Sequence, residues 1–528
     1  MFSMSLILLA ATLLVAAIVR QVHAYNSLKA FGGHWSAGWS RIWQLRTQGS
    51  GEMHKRFTEI NDKYGSTARI SPGTLITCDP DLVRTMNAVR SPYTRGVWYS
   101  ALKLHPDIDN ITSHTNESIH ADLRSRMAPG YSGKENTQME KDVDAQLMSL
   151  LALLDEKYLA KPEEGQFRVL DLARVTNFFT LDVISSIAFG QTFGFLAKDE
   201  DPFGYIENLS RLLPAIIVFG VYTELTKLLN LSFIKAALPK SSDKQGLGRV
   251  MGFAKARVDE RFGDKKIERR DMLGSFIRKG LCQQQLESET LTQIIAGSDS
   301  TASALRMALH LIATSPPILS RLLQEVEHAI DAGRISRPVI QDSEARRLPY
   351  LQACIKEGLR VYPPVTGILA KQVPPEGAWI DVDGVKKFAP AGTQIGWNPW
   401  GITRNKVIFG EDSDIFRPER WMPKDISQAE QDRVARMTDT VGLVFGYGRF
   451  GCLGRGVATM ELNKAVIEIL LRYNLQSCNL GKPFDEKAVG FWIHDNMNFI
   501  LTERKTADIM TVMNGHVNVL PLPGAYDA

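Results

Sequence analysis

The apolar positions of this chain fall into three kinds of pattern along its length. Residues 2–19 carry no charge and are mostly Leu, Ala, Ile and Val, a run long enough for a helix that spans a membrane. Residues 64–86 read as short strands separated by turn dipeptides, and helical periodicity then continues to about Arg360. Strand and turn patterns return at 367–396. These patterns predict a mainly α-helical protein with a smaller β-rich subdomain.

The chain divides where these patterns change. We expect a transmembrane anchor at 1–22, a membrane-proximal linker at 23–52, one large domain at 53–505 and a C-terminal tail at 506–528. The linker is rich in Trp, Gly and Ser, and its tryptophans suit a membrane interface. No Ser/Gly-rich or Pro-rich stretch divides the large domain, so we expect it to fold as one unit.

The charges around the apolar run predict its orientation in a membrane. No basic residue precedes it, whereas Arg20, His23 and Lys29 follow it. Because the cytosolic flanks of membrane helices are enriched in Lys and Arg, we expect the large domain in the cytosol. A cleaved signal peptide is the alternative, since the run is rich in Ala, but the charged region that opens such peptides is missing.

The composition narrows the class of protein. The five cysteines are scattered and odd in number, which argues against a disulfide framework. A net charge of +4 gives no sign of a nucleic-acid partner. Such mild basicity suits a membrane surface or an acidic protein partner.

Cys452 lies on a glycine-rich loop, 445–454, that leads into an apolar helical pattern. The glycines let the backbone turn tightly and approach a flat cofactor, and the helix that follows would aim its amides at the sulfur. Both effects favour a thiolate. A single thiolate without other Cys or His at zinc spacing suits one axial position of a haem iron better than a zinc site. A buried free cysteine is the plainer alternative.

The loop resembles the haem-binding loop, FxxGxRxCxG, of the cytochrome P-450 family of haem-thiolate monooxygenases. The matching positions are Phe445, Gly448, Cys452 and Gly454. The family's basic residue two positions before the cysteine is replaced by Phe450, and Arg449 stands one position early. The resemblance implies a cytochrome P-450 fold that holds haem b, with Cys452 as the axial ligand of the iron and with Phe445 and Arg449 beside the cofactor.

Two further segments resemble the family's structural core. Glu357 and Arg360 stand three apart in a helical pattern that ends at two prolines, as in the family's ExxR helix. Arg420 lies in a Pro-Glu-Arg-Trp segment that the family also carries. The resemblance implies that Arg420 bonds to Glu357 and Arg360 in a buried network that supports the cofactor site. For Glu357 and Arg360 taken alone, a surface ion pair is the alternative.

An acid followed by two hydroxyl residues, Asp299, Ser300 and Thr301, interrupts the apolar helical pattern of 291–313. The segment resembles the family's oxygen-activation helix, in which Ser300 takes the usual threonine position. We expect either hydroxyl to hydrogen-bond dioxygen or a water, and Asp299 to relay protons into the pocket. The alternative is that the hydroxyls bond back to helix carbonyls.

Cations for the haem propionates are expected on both sides of that helix in the sequence. His120 and Arg124 resemble the family's WxxxR helix, with His120 in place of the tryptophan, and their spacing puts both on one helix face. A solvated basic face is the alternative for this pair. Lys371 stands where the family often carries arginine, and it would offer a point charge.

The resemblance also implies a reaction and its partners. The enzyme would hydroxylate, demethylate or otherwise oxidise a lipophilic small molecule with dioxygen. Among family members the chain looks most like the fungal pisatin-demethylase-like group, which implies secondary metabolite biosynthesis. Electrons would come from an NADPH-dependent flavoprotein reductase at the endoplasmic reticulum membrane, which would dock where Arg449, Arg455 and Lys464 are expected to cluster.

Two other functions stay open from the sequence. A haem-thiolate isomerase or dehydratase would need no reductase, and the acid-plus-hydroxyl segment argues against it. A non-catalytic haem-binding protein would have no use for an acid in a buried helix.

Overall fold

The computed structural model describes residues 2–105, 107–264 and 266–505. The predicted tail at 506–528 lies outside the described residues. Within them helices dominate, and the strands form a five-stranded sheet, a three-stranded sheet and two hairpins. The prediction of a mainly α-helical protein with a smaller β-rich part is confirmed.

The described residues contain twenty α-helices, numbered here in chain order. They are α1 (Phe2–Ser27), α2 (Ile42–Gly49), α3 (Met53–Tyr64), α4 (Pro80–Asn87), α5 (Glu117–Tyr131), α6 (Met139–Leu153), α7 (Leu172–Phe189), α8 (Phe195–Lys198), α9 (Tyr205–Val221), α10 (Ser232–Ala237), α11 (Gly246–Asp259), α12 (Met272–Arg278), α13 (Gln283–Ala313), α14 (Pro316–Asp331), α15 (Asp342–Ala345), α16 (Pro349–Val361), α17 (Pro399–Thr403), α18 (Lys406–Phe409), α19 (Gln428–Val441) and α20 (Arg455–Arg472).

The strands are short and come from distant parts of the chain. They are β1 (Thr67–Ser71), β2 (Thr74–Thr77), β3 (Thr94–Arg95), β4 (Val169–Asp171), β5 (Lys371–Gln372), β6 (Ala378–Val382), β7 (Val385–Ala389), β8 (Gln394–Trp397), β9 (Tyr473–Ser477), β10 (Asp485–Ala488), β11 (Trp492–Asp495) and β12 (Asn498–Glu503). The large sheet has the order β1-β2-β8-β5-β3, in which β2 and β8 run parallel and the other pairs antiparallel. The three-stranded sheet is β4-β12-β9, and β6-β7 and β10-β11 form the hairpins.

The long helix α13 runs through the middle of the helical core, where it packs against α7, α11, α16 and α20. Helix α7 begins where the Asp171 side chain accepts two backbone amides, and it ends at Gly190 with φ of 67°. Every residue of α7 except Arg174 is buried. Among the residues whose side chains are described, which leave out much of α1, it is the single unbroken helix long and apolar enough to cross a membrane, and 94% of that span is buried inside the protein. This helix is therefore part of the core.

The N-terminal apolar run forms α1, which extends beyond the predicted anchor to Ser27. Its apolar side chains at Leu8, Leu14 and Val15 are exposed. This exposure sets α1 apart from α7, whose apolar side chains face the protein core.

The segment 23–52, predicted as a linker, is folded onto the domain. Leu28 and Phe31 are buried in one cluster with strand residues of the large sheet. Gly33 pairs with β1, and a Cβ atom on it would lie 2.2 Å from the Arg69 carbonyl oxygen. Trp35 remains exposed. The segment thus completes the β-rich core with its apolar residues and leaves an aromatic residue at the surface.

Candidate active site

An internal cavity lies between α13, α5 and the loop that carries Cys452, and its empty volume is about 1720 Å³ including its openings. Its wall is mainly apolar. The predicted site residues in that wall are His120, Arg124, Ser300, Thr301, Phe445 and Cys452. Three other predicted residues, Asp299, Lys371 and Arg449, do not line it. The structure therefore brings six of the predicted groups together around one space.

The loop before α20 holds its shape through backbone contacts that only glycine permits. Gly448 has φ of +55°, and a Cβ atom there would lie 2.2 Å from the Asn87 carbonyl oxygen. The Cys452 amide donates to the Phe445 carbonyl over 2.6 Å, which closes the loop on itself. The side chain of Cys452 is exposed, and the space to which it is exposed is the cavity.

The pKa of the Cys452 thiol differs from the sequence expectation. Burial raises this pKa, whereas the amides of Gly454 and Arg455 and the charge of Arg124 lower it. The expected help from the helix amides is thus present, but burial outweighs it. A thiol of this kind ionises when a metal cation supplies the missing positive charge.

His120 and Arg124 lie one helical turn apart on α5, and both reach the cavity. The pKa of His120 is lowered to about 3, chiefly by burial and also by the neighbouring charges of Arg95 and Arg124. The imidazole is therefore neutral at physiological pH and has a single N–H to donate. The Arg124 side chain makes no hydrogen bond within the described parts of the chain, so its guanidinium donors remain available to the cavity.

Lys371 and Arg449 were predicted to reach a cofactor, but the structure directs both towards Phe450. The Lys371 Nζ lies 2.9 Å from the centre of the Phe450 ring, and the Arg449 guanidinium carbon lies 4.9 Å from it. Arg449 also donates to the carbonyls of Ser91 and Tyr93, over 3.3 and 2.9 Å. The phenyl ring that replaces the family's basic residue thus stands between these cations and the cavity.

Lys371 is almost fully buried, and its Nζ has no hydrogen-bond partner among the described residues. Burial lowers the pKa of Lys371 to about 6, and the neighbouring charge of Arg95 lowers it too. The amine is therefore largely uncharged at neutral pH. This differs from the point charge expected from the sequence.

Arg95 is a cavity residue that no sequence pattern marked. It lies on β3, where it pairs with Lys371 of β5 across the sheet, and it lines the cavity. Its guanidinium donates to the carbonyl of Ile111 over 2.7 Å and to that of Thr112, while Nε is buried without a partner among the described residues. Its position depends on the pairing of two-residue strands that are distant in the chain.

On α13 the acid and the two hydroxyls point in different directions. Ser300 and Thr301 line the cavity, whereas Asp299 is turned by about 100° about the helix axis relative to Ser300. The Asp299 carboxyl lies close enough to Tyr205 and Arg306 for their charges to interact, and its Oδ2 is buried without a partner among the described residues. Burial raises the pKa of Asp299 to about 6. The predicted acid does not open directly into the pocket.

The two hydroxyls differ in their hydrogen bonds. Ser300 Oγ donates back to the Ala296 carbonyl over 2.8 Å, which is the alternative that the sequence left open for it. Thr301 makes no side-chain hydrogen bond in the described parts of the chain. Thr301 therefore has the hydroxyl that is free to bind a molecule in the cavity.

Glu357 lies at the centre of a buried charge network behind the Cys452 loop. Its Oε1 accepts from Arg360 Nη2 over 2.8 Å and from Arg420 Nε over 2.7 Å. Its Oε2 accepts from Arg360 Nε over 2.8 Å and from Trp421 Nε1 over 2.9 Å. The three charged side chains are at most 2% exposed. One carboxylate thus binds two guanidinium groups and an indole.

The remaining guanidinium donors of this network bond to backbone carbonyl oxygens and, from Arg420 Nη1, also to Asp412 Oδ1 over 3.2 Å. Arg360 donates to the carbonyls of Thr403, Ser413 and Ile415, and Arg420 donates to those of Phe409, Asp412 and Ile415. The predicted bond between Arg420 and Arg360 is replaced by shared acceptors, because two guanidinium groups have only donors. Glu357 and the Ile415 carbonyl link them.

The three cations predicted to form a reductase surface do not cluster at the surface in the structure. Lys464 is fully buried in α20, and its Nζ pairs with Glu140 at 2.7 Å and with Asp144 at 2.8 Å. Of the other two, Arg449 points inward as described, whereas Arg455 is exposed. The expected cluster of three is therefore wrong, because a residue in the middle of this core helix faces the acids of α6.

Comparison with known proteins agrees with this geometry. Residues 36–499 match the family Cytochrome P450. The chain belongs to the cytochrome P450 family. A cysteine on a glycine loop at an internal cavity, backed by a buried Glu-Arg-Arg network, is the arrangement expected for that family from the sequence, and members hold haem b through the cysteine thiolate.

Several curated relatives are fungal cytochrome P450 monooxygenases. Cytochrome P450 monooxygenase ABA1 of Pyricularia oryzae is 39% identical over 486 residues, which cover 91% of this chain and 93% of the relative. Monooxygenase aba1 of Botryotinia fuckeliana is 37% identical over 468 residues, 88% of this chain and 90% of the relative. Monooxygenase pkfB of Emericella nidulans is 30% identical over 501 residues, 93% and 94% of the two chains. The P450 chain is thus an oxidoreductase of the monooxygenase type.

The cavity residues fit haem b. The group is flat and apolar with two carboxylates at one edge, and the cavity offers a sulfur from Cys452, an apolar wall and the unpaired donors of Arg124. Gly448 gives the loop a backbone path that any side chain would block. His120 adds one neutral donor beside the Phe450 ring, whose centre lies 5.5 Å away. These are the polar and apolar groups that such a cofactor requires.

Proposed function

We propose that this P450 is a membrane-anchored haem-thiolate monooxygenase that oxidises a lipophilic small molecule by hydroxylation, demethylation or a related oxidation. It would use dioxygen and electrons from an NADPH-dependent flavoprotein reductase, in fungal secondary metabolite biosynthesis. The observation that carries the proposal is the sulfur of Cys452 at a largely apolar internal cavity, next to cationic donors. The names of the curated relatives support the monooxygenase activity.

We assign the cofactor contacts residue by residue. Cys452 would ligate the iron, Phe445 would pack beside the sulfur, and Arg124 with His120 would donate to the propionates. Arg95 joins them because it lines the same wall. When bound, haem supplies the activation of dioxygen, while the thiolate donates electron density.

Lys371 and Arg449 are assigned an indirect role. They would hold Phe450 in place by contact with its ring, and neither residue lines the cavity. The loss of a basic residue at Phe450 is offset by Arg95 and Arg124.

Thr301 is assigned the hydrogen bond to dioxygen or to a water in the cavity. Its hydroxyl is free, whereas that of Ser300 is occupied by the helix backbone. Asp299 would serve as a proton reservoir behind the helix, since its pKa of about 6 lets it exchange protons near neutral pH. A proton from Asp299 must pass the α13 wall to reach Thr301, so a water would have to carry it.

The network of Glu357, Arg360 and Arg420 is assigned to structural support. It would fix α16 to the segment before the Cys452 loop through the bonds that Arg417 and Trp421 donate to Glu357. Removal of the carboxylate would leave buried Arg360 without a counter-charge among the described residues and Arg420 with Asp412 alone, which is far more costly than loss of a surface pair.

The exposed apolar face of α1 supports a single-pass anchor in the endoplasmic reticulum membrane, with the domain in the cytosol. Leu8, Leu14 and Val15 are exposed, and Arg20 follows on the expected cytosolic side. Exposed Trp35 lies at the matching interface position. In sealed microsomes, protease added outside should digest the domain, and its protection would overturn this orientation.

The decisive experiment is the carbon-monoxide difference spectrum of reduced membranes that contain the full chain. The red-shifted Soret band of a thiolate-ligated haem is expected for the native chain and should be lost in Cys452→Ser. Cys354→Ser is the matched control, because Cys354 is buried in α16 away from the cavity. Haem binding without that band in the native chain would overturn the proposed function.

A further inference from the structure

Glu289 is a fully buried carboxyl on α13 that the proposed reaction does not use. Its Oε1 accepts from the Ile111 amide over 2.8 Å and from Gln285 Nε2 over 2.7 Å. Its Oε2 is buried without a partner among the described residues. Burial raises the pKa of Glu289 to about 8, so the carboxyl is mostly protonated at neutral pH. Its burial costs stability that the hydrogen bonds of Oε1 offset only in part.

The contacts of this part of α13 converge on one irregular segment, 108–112. Besides the bond from Ile111 to Glu289, Gln285 Nε2 donates to the Asp109 carbonyl over 3.0 Å. Ser288 Oγ donates to the Ile108 carbonyl over 3.3 Å. Three polar side chains of the helix therefore bind the backbone of a segment that has no regular structure of its own.

The same segment is held from its other side by Arg95. The guanidinium donates to the carbonyls of Ile111 and Thr112, and both of these residues line the cavity. One turn beyond Glu289 on α13, Thr292 and Gln293 line the cavity as well. Glu289 thus sets the distance between two parts of the cavity wall, the helix and the segment.

We propose that Glu289 is a positioning residue for the substrate. Through hydrogen bonds rather than charge, it pins the 108–112 segment to α13 and so fixes the part of the wall formed by Ile111 and Thr112. The pinned wall limits the size and orientation of the lipophilic molecule that the cavity accepts. The inference rests on the proposed function in so far as the bound molecule is a substrate.

The test compares two ligands of the haem iron that differ in size, imidazole and 4-phenylimidazole, with the haem-loaded full chain. Glu289→Leu removes the acceptor, and we expect the preference for 4-phenylimidazole over imidazole to change by about tenfold, the effect of one or two buried hydrogen bonds. Glu289→Gln keeps the acceptor oxygen and mimics the protonated carboxyl, so it should behave as the native chain does. Glu287→Leu is the matched control, since Glu287 lies two positions away and pairs with Lys255 at 3.1 Å.

Hydrogen exchange of the peptide that contains 108–112 gives a second readout that requires no activity. Exchange should become faster in Glu289→Leu and stay at the native rate in Glu289→Gln and Glu287→Leu. If Glu289→Leu fails to fold, Gln285→Leu takes its place, because it removes bonds to both Glu289 and Asp109. A native-like exchange rate and ligand preference in the acceptor-free variant would overturn the inference.

The outcomes also separate this inference from the proposed function. If the proposed function is wrong, the native chain will lack the carbon-monoxide band. The exchange rate of 108–112 will still show whether Glu289 holds this segment against α13. If Glu289→Gln changes both readouts as strongly as Glu289→Leu does, the carboxyl acts through its charge and the inference is wrong.

Discussion

The network around Glu357 and the wall of the cavity both bury charged side chains, but they treat their polar atoms in opposite ways. Around Glu357, the carboxylate oxygens and both guanidinium groups find hydrogen-bond partners. Around the cavity, Arg95 Nε and Glu461 Oε2 have none among the described residues. Buried polar atoms with partners stabilise a fold, whereas those without partners cost stability and, beside a cavity, are available to a ligand.

This difference separates support from binding within one domain. The satisfied network connects α16 to the chain before the loop and leaves no group for a ligand. The cavity wall keeps donors unused, because the group they serve is brought in from outside.

The largest effect is expected at Glu357. Glu357→Gln should destabilise the protein by about 3–5 kcal/mol, because among the described residues it leaves buried Arg360 without a counter-charge and leaves Arg420 with Asp412 alone. The measure is the chemical denaturation midpoint together with the yield of haem-loaded protein. Glu59→Gln is the control, since Glu59 also pairs with an arginine three positions away, Arg56, but at an exposed site. Equal effects of both substitutions would remove the distinction between the network and the surface.

Gly448 tests the loop that carries the cysteine. Gly448→Ala places a Cβ atom 2.2 Å from a backbone oxygen at φ of +55°, and we expect a cost of about 1–3 kcal/mol with loss of haem. Gly456→Ala is the matched control, because nothing lies within 4 Å of the position that its Cβ would take and α20 accepts alanine there. Haem content per folded chain distinguishes them, and normal haem content in Gly448→Ala would contradict the loop geometry.

His54 shows the stability cost of unpaired buried atoms by itself, because its two unpaired ring nitrogens lie outside the cavity wall and are not available to a ligand there. Both ring nitrogens are buried without partners among the described residues, between the rings of Trp400 and Trp492. Burial lowers the pKa of His54 to about 3. Below about pH 6.5 His54 is protonated in the unfolded chain but stays neutral in the folded chain. The free energy of unfolding should therefore fall by about 1.4 kcal/mol for each unit that the pH is lowered, for this residue.

The measurement for His54 is the unfolding free energy between pH 7 and pH 5. His54→Phe keeps the aromatic contacts and removes the titrating group, so its slope should be smaller than that of the native chain. Part of the remaining slope is assigned to His120, His310 and His494, whose pKa values burial also lowers. An unchanged slope in His54→Phe would show that the imidazole takes up its proton equally well in the folded and unfolded chains.

The smallest effect is expected from a substitution of Lys371, although the sequence predicted this residue to contact the cofactor. Lys371→Met should retain haem and be at least as stable as the native chain at pH 7, because it removes an amine that burial keeps uncharged. Arg124→Met should instead lower haem content severalfold, since its donors face the cavity. Haem content by absorbance, normalised to protein, measures both. Equal haem loss in the two variants would show that Lys371 contacts the cofactor as Arg124 does.

Much of the site could be predicted because its residues belong to local patterns. Cys452 with its glycines, Glu357 with Arg360, and Thr301 on an apolar helix are each recognisable within one stretch of chain. The sequence was also sufficient to predict helices α13 and α16, because apolar periodicity and the prolines that follow a helix are local signals. Phe450 stands out as a departure from the family pattern for the same reason.

The remaining residues depended on contacts between distant segments. Arg95 enters the wall only because β3 pairs with β5, and Lys464 leaves the surface because α6 supplies Glu140 and Asp144. Asp299 points away from the cavity because α13 packs with Ser300 and Thr301 facing it. Each residue of an α-helix is rotated by about 100° from the one before, so the packing of α13 determines which side chain faces the cavity. None of these contacts is encoded in a single stretch of sequence.

The class of chemistry follows from short stretches of chain and their family resemblance, since a cysteine on a glycine loop and an acid-hydroxyl helix are each recognisable locally. Which of the charged groups face the cavity, and in which protonation state, follows from packing. Burial lowers the pKa of Lys371 and of His120 and raises that of Cys452. Burial is a property of the folded molecule, because each side chain is desolvated by atoms that lie far away in the chain.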